Sequence, residues 1–545
     1  MSMRVVGIRV LSAFAAVAGL VDLVAATPQH AGRVCRAAAV FLIGQPLTRP
    51  QALILGLLLL TVAHGVAGRR RLALHAALAG LALSMFATVP GAPVRVAAMG
   101  ALMVALVALR DQFGTPPDHR RLRLAAEVGL AVVALVLVSG GWDLAVNRER
   151  PRAVGETVLA GLLADPVSHS AQSSLLAFLV TTGTVTVLLL AFAPAAPPGP
   201  ASPAQRRAVA VLAAHADSGS LAPFATRSDK VYAFSPDHRA AVGYRVLFGV
   251  ALAGGDLVGE AGSAEAAIAA FLRECAERGW RPAVLGAGVD TLPVWERHGL
   301  RGLTIGDEAV LDVAGFNLSS RRMRNVRQAV SRTQNAGVTV RLGPLSDELA
   351  GALRPVLDDW LDGHTERGFA MNLDHILAPR PDCLFAVAYG PAGRPEAFAR
   401  FAVCGDGAIL TLDVAPRRLG APNGVVERLV VEVVEYARGH GAREVSLNFA
   451  GLRRVFETVG PLAGFAGAVG HAFDRWIQLG PLYRFCAKFQ PTWRTRYLLL
   501  RSWLDVGFVA AAALSAEFAG GAGPEPVRVP APQVPEAESA SEATC

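Results

Sequence analysis

The sequence predicts a membrane α-helical bundle followed by an α/β domain built as two similar lobes, and three observations carry this. The mean hydropathy of +0.40, with 52% hydrophobic residues, is high for a water-soluble chain of 545 residues. The apolar excess is concentrated before about residue 194, whereas charged and apolar residues interleave after it. From about residue 205, short β-like runs alternate with amphipathic helical patterns, and the same order occurs twice.

In the first region, residues 5–26 form an apolar run long enough to cross a bilayer, which takes about 20 helical residues. Arg9 and Asp22 lie near its ends and no small-residue cleavage site follows, so it is expected to be a retained helix rather than a signal peptide. Further spans are expected at residues 51–67, 72–89, 92–109, 124–140 and 174–193, with a weaker apolar patch at 37–44, for about six helices within residues 1–194. Pro90-Gly91 breaks one hairpin, and Arg69-Arg70-Arg71 and Arg120-Arg121-Leu122-Arg123 make compact basic loops. With six spans these loops share a side with both termini, which the positive-inside rule assigns to the cytoplasm; Arg148, Arg150 and Arg152 pull the other way. The expected location is therefore the cell membrane, multi-pass, with the second region in the cytoplasm. His64 and His75 are read as packing residues and receive no function.

Residues 194–203, PAAPPGPASP, cannot continue a helix and open a linker over 195–215. A first lobe is expected over 216–343, with strands at 231–234, 241–252 and 283–286 and a helix at 264–278 that stops at Gly279. A second lobe is expected over 344–503, with helices at 346–362 and 425–440 and strands at 384–389, 397–403, 408–413 and 444–448. Residues 504–545 form a C-terminal segment whose composition after Pro524 predicts disorder.

The net charge of +8 and pI near 9.6 favour polyanionic partners, lipid headgroups or nucleic acid alike. Six scattered cysteines, with no CxxC and no cysteine-histidine cluster, point to reduced thiols and no structural zinc.

Several short segments carry candidate chemistry. Ser319 or Ser320 caps a helix whose apolar stripe is Met323, Val326 and Val330, leaving Arg321, Arg324 and Arg327 on the other surface, where guanidinium forks suit phosphates. A helix ends in a polar turn holding Glu366-Arg367, and a strand delivers Asp413 to its carboxyl end ahead of a basic loop with Arg417 and Arg418. Val445-Ser446-Leu447-Asn448-Phe449 and the segment from Tyr483 through Lys488 to Trp493 complete the set. Each taken alone is more often a solvated face or a capping residue than a site.

In combination and order they resemble the C-terminal synthase domain of the phosphatidylglycerol lysyltransferases, the multiple peptide resistance factor family, over about residues 216–503. The resemblance rests on Ser220-Leu221-Ala222-Pro223-Phe224-Ala225, Asp229-Lys230, Gly255-Asp256-Leu257-Val258-Gly259, Ile305-Gly306-Asp307-Glu308-Ala309, the helix at 323–330, Glu366-Arg367-Gly368-Phe369, Asn448-Phe449 and the Tyr483 to Trp493 segment. It is nearest to the actinobacterial form in which such a domain precedes a lysyl-tRNA synthetase, a module not expected here.

The resemblance implies tandem acetyltransferase-like (GNAT) lobes around a tunnel with a tRNA-facing and a lipid-facing mouth. It implies transfer of an amino acid, lysine first, from aminoacyl-tRNA to the glycerol hydroxyl of phosphatidylglycerol, making a cationic lipid that lowers sensitivity to cationic peptides. No cofactor is implied beyond aminoacyl-tRNA as co-substrate; the implied partners are tRNA, phosphatidylglycerol and the membrane, and a homo-oligomer is compatible. Catalytic positions carried over are Asp413, to orient the attacking hydroxyl or the substrate ammonium, and Lys488, as electrostatic stabiliser, with Arg417 nearby. Glu308, Glu366, Arg367 and Asn448 join Arg321, Arg324 and Arg327 as substrate-binding candidates. The family's Asp-Leu-Met-Arg becomes Asp413-Val414-Ala415-Pro416, which moves the nearest arginine to Arg417. Two other readings compete: an acyl-CoA-dependent N-acyltransferase, for which Arg417-Arg418-Leu419-Gly420-Ala421-Pro422 only half resembles a phosphate-binding turn, and a non-catalytic membrane scaffold or lipid transporter.

Overall fold

The computed structural model describes residues 3–25, 49–87, 93–115, 118–146, 171–364, 366, 372–450 and 479–518. The chain divides into two compact units, Met1–Ala196 with Ala276–Trp280, and Pro197–Cys275 with Arg281–Cys545.

The first unit contains helices α1 (Met3–Ala25), α2 (Arg49–Ala67), α3 (Arg71–Ala87), α4 (Pro93–Ala108), α5 (His119–Val146) and α6 (Ala171–Ala191). Each of the six expected apolar spans falls on one of them; the patch at 37–44 lies outside the described residues. Small residues let backbones approach: a Cβ on Gly19 of α1 would stand 2.9 Å from the Gly56 carbonyl oxygen of α2. Ile8, Val66, Leu74, Leu106, Phe113 and Phe192 form the core of this unit. Large apolar side chains also face outward, Phe14 and Val17 on α1 and Leu130, Leu137 and Val138 on α5 among them. Among the described residues, no helix is long and apolar enough to cross a membrane.

The second unit opens on α7 (Pro203–Ala214), so the expected linker is partly helical. The reason is local: Ser202 and Gln205 form a reciprocal capping box, with proline at the first helical position. The strands are β1 (Val231–Phe234), β2 (Ala240–Leu247), β3 (Val250–Gly254), β4 (Val258–Gly259), β5 (Arg281–Ala287), β6 (Arg301–Asp312), β7 (Thr339–Gly343), β8 (Cys383–Tyr389), β9 (Pro395–Cys404), β10 (Ile409–Val414), β11 (Glu444–Ala450) and β12 (Thr492–Leu500). All join one sheet in the order β1-β2-β3-β5-β12-β6-β11-β10-β9-β8-β7, with β4 on β2. Both sequence halves thus share a continuous sheet, and β12 inserts between β5 and β6 of the first half.

The helices are α8 (Ala264–Arg278), α9 (Leu292–Arg297), α10 (Arg324–Asn335), α11 (Asp347–Leu361), α12 (Val425–Gly439), α13 (Leu479–Ala487) and α14 (Val506–Phe518). Strand alternation sorts the second half into two cores. Leu384, Ala386 and Ala388 of β8 face α10 and α12, while Cys383, Phe385 and Val387 face α11. A third core sets Val509, Ala512, Ala513 and Ala516 of α14 against β3, β5, β6 and β12.

Candidate active site

The parallel neighbours β10 and β11 pair only as far as Thr411 opposite Ser446. Beyond that point β10 shifts register against β9 between Leu412 and Val414, and β11 shifts against β6 between Ser446 and Phe449. Both strands bulge at the same level and part, as bulged strands do beside binding sites. Asn448 sits in the bulge with a left-handed φ of 67°, and its Nδ2 reaches across to the Leu412 carbonyl at 2.9 Å. An opening at the carboxyl ends of parallel strands is where open α/β sheets take ligands.

Asp413, expected to orient the attacking hydroxyl or the substrate ammonium, stands beside this opening. Its side chain is fully buried, ion-paired to Arg400 of β9, and its Oδ1 accepts from the Leu373 N–H at 2.9 Å. Arg400 in turn donates to the carbonyls of His375 and Ile376 at 3.0 and 2.9 Å. The pair pins the segment 372–376, and other groups hold it as well. Arg227 donates to the Asn372 carbonyl, Ser228 to the Asp374 carboxylate, and Glu366 accepts the Ile376 N–H at 3.3 Å. Burial pushes the Asp374 carboxyl up, and the Ser228 hydrogen bonds with the Arg227 charge outweigh it, leaving the group below its ordinary value.

Glu308 belongs to a second buried node. It accepts from Ser220 and Ser446 hydroxyls at 2.5 Å each and from Arg496 of β12 at 2.5 and 3.0 Å. Arg496 also reaches Asp256 at 2.7 Å, and Asp256 accepts from the Gly288 N–H and the Thr291 hydroxyl. Burial raises the Glu308 carboxyl, but Arg496 and the two serines more than reverse this and hold it below the ordinary range. With its oxygens taken up by Ser220, Ser446 and Arg496, Glu308 ties three strands together.

Lys488 follows α13 and pairs with Glu427 in the first turn of α12 at 2.7 Å, with its side chain 40% exposed. Among the described residues Asp413 pairs with Arg400 and Lys488 with Glu427, and the two groups share no hydrogen bond or ion pair with each other. Arg417 is exposed while its backbone bridges Ala397, and the Pro416 carbonyl accepts from Phe398 N at 2.9 Å. The guanidinium that neutralises Asp413 therefore comes from Arg400, not from the loop. Arg321 and Arg324 lie exposed at the start of α10, behind the Ser320 cap, and Arg327 is exposed but donates to the Leu318 and Ser320 carbonyls. Arg367 lies outside the described residues.

Sequence reasoning missed Arg400, Arg496, Arg227 and Asp374. The two strand arginines had a signal: Arg400 interrupts the apolar run Ala397-Phe398-Ala399 and Phe401-Ala402-Val403, and such a residue needs a buried partner.

A family model described as "Phosphatidylglycerol lysyltransferase, C-terminal" matches residues 209–500, more than half of the 545 residues. The chain is 41% identical over 296 residues to the "Lysylphosphatidylglycerol biosynthesis bifunctional protein LysX" of Gordonia bronchialis, covering 52% of this chain and 26% of that relative. The protein of the same name from Rhodococcus opacus is 41% identical over 308 residues, 54% of this chain and 27% of the relative. The matched stretch thus spans about a quarter of the length of these curated relatives. The crystal structure of the C-terminal domain of a putative lysylphosphatidylglycerol synthetase from Agrobacterium fabrum superposes with a TM-score of 0.52 at 24% identity, covering 59% of this chain and all of that one, and shows the same fold. A match over residues 209–500, the stretch that holds both buried nodes and the parted strands, settles the affiliation: the chain belongs to the phosphatidylglycerol lysyltransferase C-terminal family.

Proposed function

We propose that this chain is an aminoacyltransferase that moves an amino acid, lysine first, from aminoacyl-tRNA to the glycerol hydroxyl of phosphatidylglycerol. The observation that carries the reading is the family match over the stretch whose strands part beside Asp413. The reaction exchanges one ester for another. The lipid hydroxyl oxygen bonds to the aminoacyl carbonyl carbon, the bond from that carbon to the tRNA ribose oxygen breaks, and the lipid hydroxyl proton ends on the ribose.

Fully buried and charge-paired, Asp413 acts as a positioning residue: with Arg400 it fixes segment 372–376 at the edge of the opening. Lys488, half exposed, supplies positive charge toward an oxyanion, with Glu427 orienting it. The exposed guanidiniums of Arg321 and Arg324 suit tRNA phosphates. At α12, where an acyl-CoA enzyme would seat a pyrophosphate, Pro422 lacks an N–H and Glu427 places an acid in the first turn, which disfavours that alternative.

The apolar side chains turned outward from α1 and α5 favour a location at the cell membrane. The test gives the purified chain a mixture of charged tRNAs with phosphatidylglycerol and follows lipid mass. A new lysyl lipid supports the reading. Unchanged lipid, or acyl transfer that needs CoA instead of charged tRNA, overturns it.

A further inference from the structure

We propose that one end of the sheet in the second unit carries a membrane-docking patch, Phe248, Trp503 and Phe508 ringed by arginines, which seats on an anionic phospholipid surface. The inference deepens the lipid-directed reading and rests on it for its purpose, because it names the surface from which the acceptor is drawn.

The first observation is a residue in the wrong place for folding. β2 turns into β3 through Phe248 and Gly249, with Leu247 opposite Val250. Both turn residues have left-handed φ, 49° and 75°, a geometry that Asn, Asp and Gly adopt readily and a bulky side chain does not. Phe248 accepts that strain and gains no burial, being 65% exposed. An aromatic that breaks a local rule without a return inside the fold points to a partner outside it.

The second observation is what surrounds it. The Arg281 N–H donates to the Gly249 carbonyl, its guanidinium lies 4.2 Å from the Phe508 ring centre, and it pairs with Asp505 at 3.0 Å. Leu247 and Val506 pack on one core, so the turn and the start of α14 are neighbours. Trp503 and Phe508 are 54% and 42% exposed. Arg301 opens β6 opposite Leu500, Arg501 follows β12, and both are exposed. Tryptophan and phenylalanine with flanking arginines are the side chains that settle at headgroup depth and favour anionic lipid.

The third is position. β11 and β12 both run antiparallel to β6, with Glu444 opposite Asp312 and Leu500 opposite Arg301, so the end of β12 and the parted ends of β10 and β11 lie at one end of the sheet. β12 is three ladders from β10, roughly 14 Å across the sheet at ~4.8 Å each, and the Leu500–Arg301 level lies six residues beyond the Ala450–Asp307 level, about 20 Å further along the strands at ~3.3 Å per residue. A surface docked through this patch brings lipid to the side on which the candidate site opens.

The experiment uses the full chain in nanodiscs of phosphatidylcholine and phosphatidylglycerol. A nitroxide is attached at Phe248→Cys or Trp503→Cys in a Cys35→Ser, Cys545→Ser background; Cys275, Cys383, Cys404 and Cys486 are buried. Relative to a label at exposed Glu348→Cys, the patch labels should gain collisions with oxygen and lose collisions with a water-soluble nickel chelate. Equal accessibility at all three positions overturns the proposal, and so does a dipolar distance between labels on two copies, which would mark a protein interface. In a second arm, the Phe248→Asp, Trp503→Asp variant should lower transfer to vesicle phosphatidylglycerol, relative to a soluble short-chain analogue, by about tenfold, equivalent to ~1.4 kcal/mol. An unchanged ratio also overturns it. If the unmodified chain transfers to neither acceptor, the enzymatic reading fails, and the label accessibilities still decide the patch.

Discussion

Two buried carboxylate-guanidinium pairs in the same sheet do different work. Glu308 with Arg496 joins strand to strand, tying β6, β11 and β12 to the turns at Ser220 and Asp256. Asp413 with Arg400 joins β9 and β10 to a segment without regular structure, 372–376, beside the parted strands. Both are sealed from water, so burial alone does not separate a structural pair from one that serves a site. What separates them is the rigidity of what they hold: removing the first should loosen the sheet, and removing the second should misplace a loop while the sheet survives.

The largest effect expected from this comparison is Arg496→Met, which strands the Glu308 and Asp256 carboxylates and should lower unfolding free energy by about 3–5 kcal/mol. Denaturant unfolding measures it, and a loss below ~1 kcal/mol would erase the distinction between the two pairs.

Next comes Asp413→Asn. Arg400 keeps its carbonyl partners in segment 372–376, so stability should fall by only about 1–3 kcal/mol. Aminoacyl transfer should fall by roughly 100-fold, with faster amide exchange at Leu373 and Ile376. Lost activity with unchanged exchange would point to direct contact with substrate instead of positioning.

A buried charge outside both pairs sharpens the comparison through pH. Burial pushes the Lys230 ammonium down to about 7. The unfolded chain, with a lysine pKa of ~10.4, binds more protons above pH 7, so stability should rise between about pH 7 and 10. Lys230→Met should flatten that rise. The opposite limb belongs to Glu308, whose depressed pKa contributes stability that is present above its unfolded value of ~4.3 and lost as pH falls through the folded value. Glu308→Gln should remove that acid dependence. The smallest effect is Lys488→Ala: its partly exposed pair with Glu427 should contribute less than ~1 kcal/mol to stability, so any large loss of transfer there reports chemistry.

How much of this could be read in the sequence depended on whether a segment declares itself locally. Helices α8, α11 and α12 were legible within a residue or two, because periodic apolar positions and the Ser346 cap or Gly279 stop are local signals. β6 was not seen, because Gly306-Asp307-Glu308 interrupts its apolar pattern and those carboxylates are satisfied by groups distant in the chain, Thr495 for Asp307 and Ser220, Ser446 and Arg496 for Glu308. The expected strand over 241–252 is a hairpin, since Phe248 gives no turn signal of the usual kind. At the candidate site, Asp413 was picked out from its strand end and Asn448 from the family resemblance. Their partners Arg400, Leu373 and Leu412 were not, because such pairings follow from sheet register, which no single segment encodes.

The place of β12 between β5 and β6 carries a further consequence. About 180 residues separate the end of β6 from the start of β12, which at ~5–20 residues per second is roughly 10–40 s of synthesis. Through that interval two inner strands have bare edges facing a vacant slot. A nascent chain of this kind must be shielded until its last strand arrives, because the seam at the middle of the sheet is also the last part to be sewn.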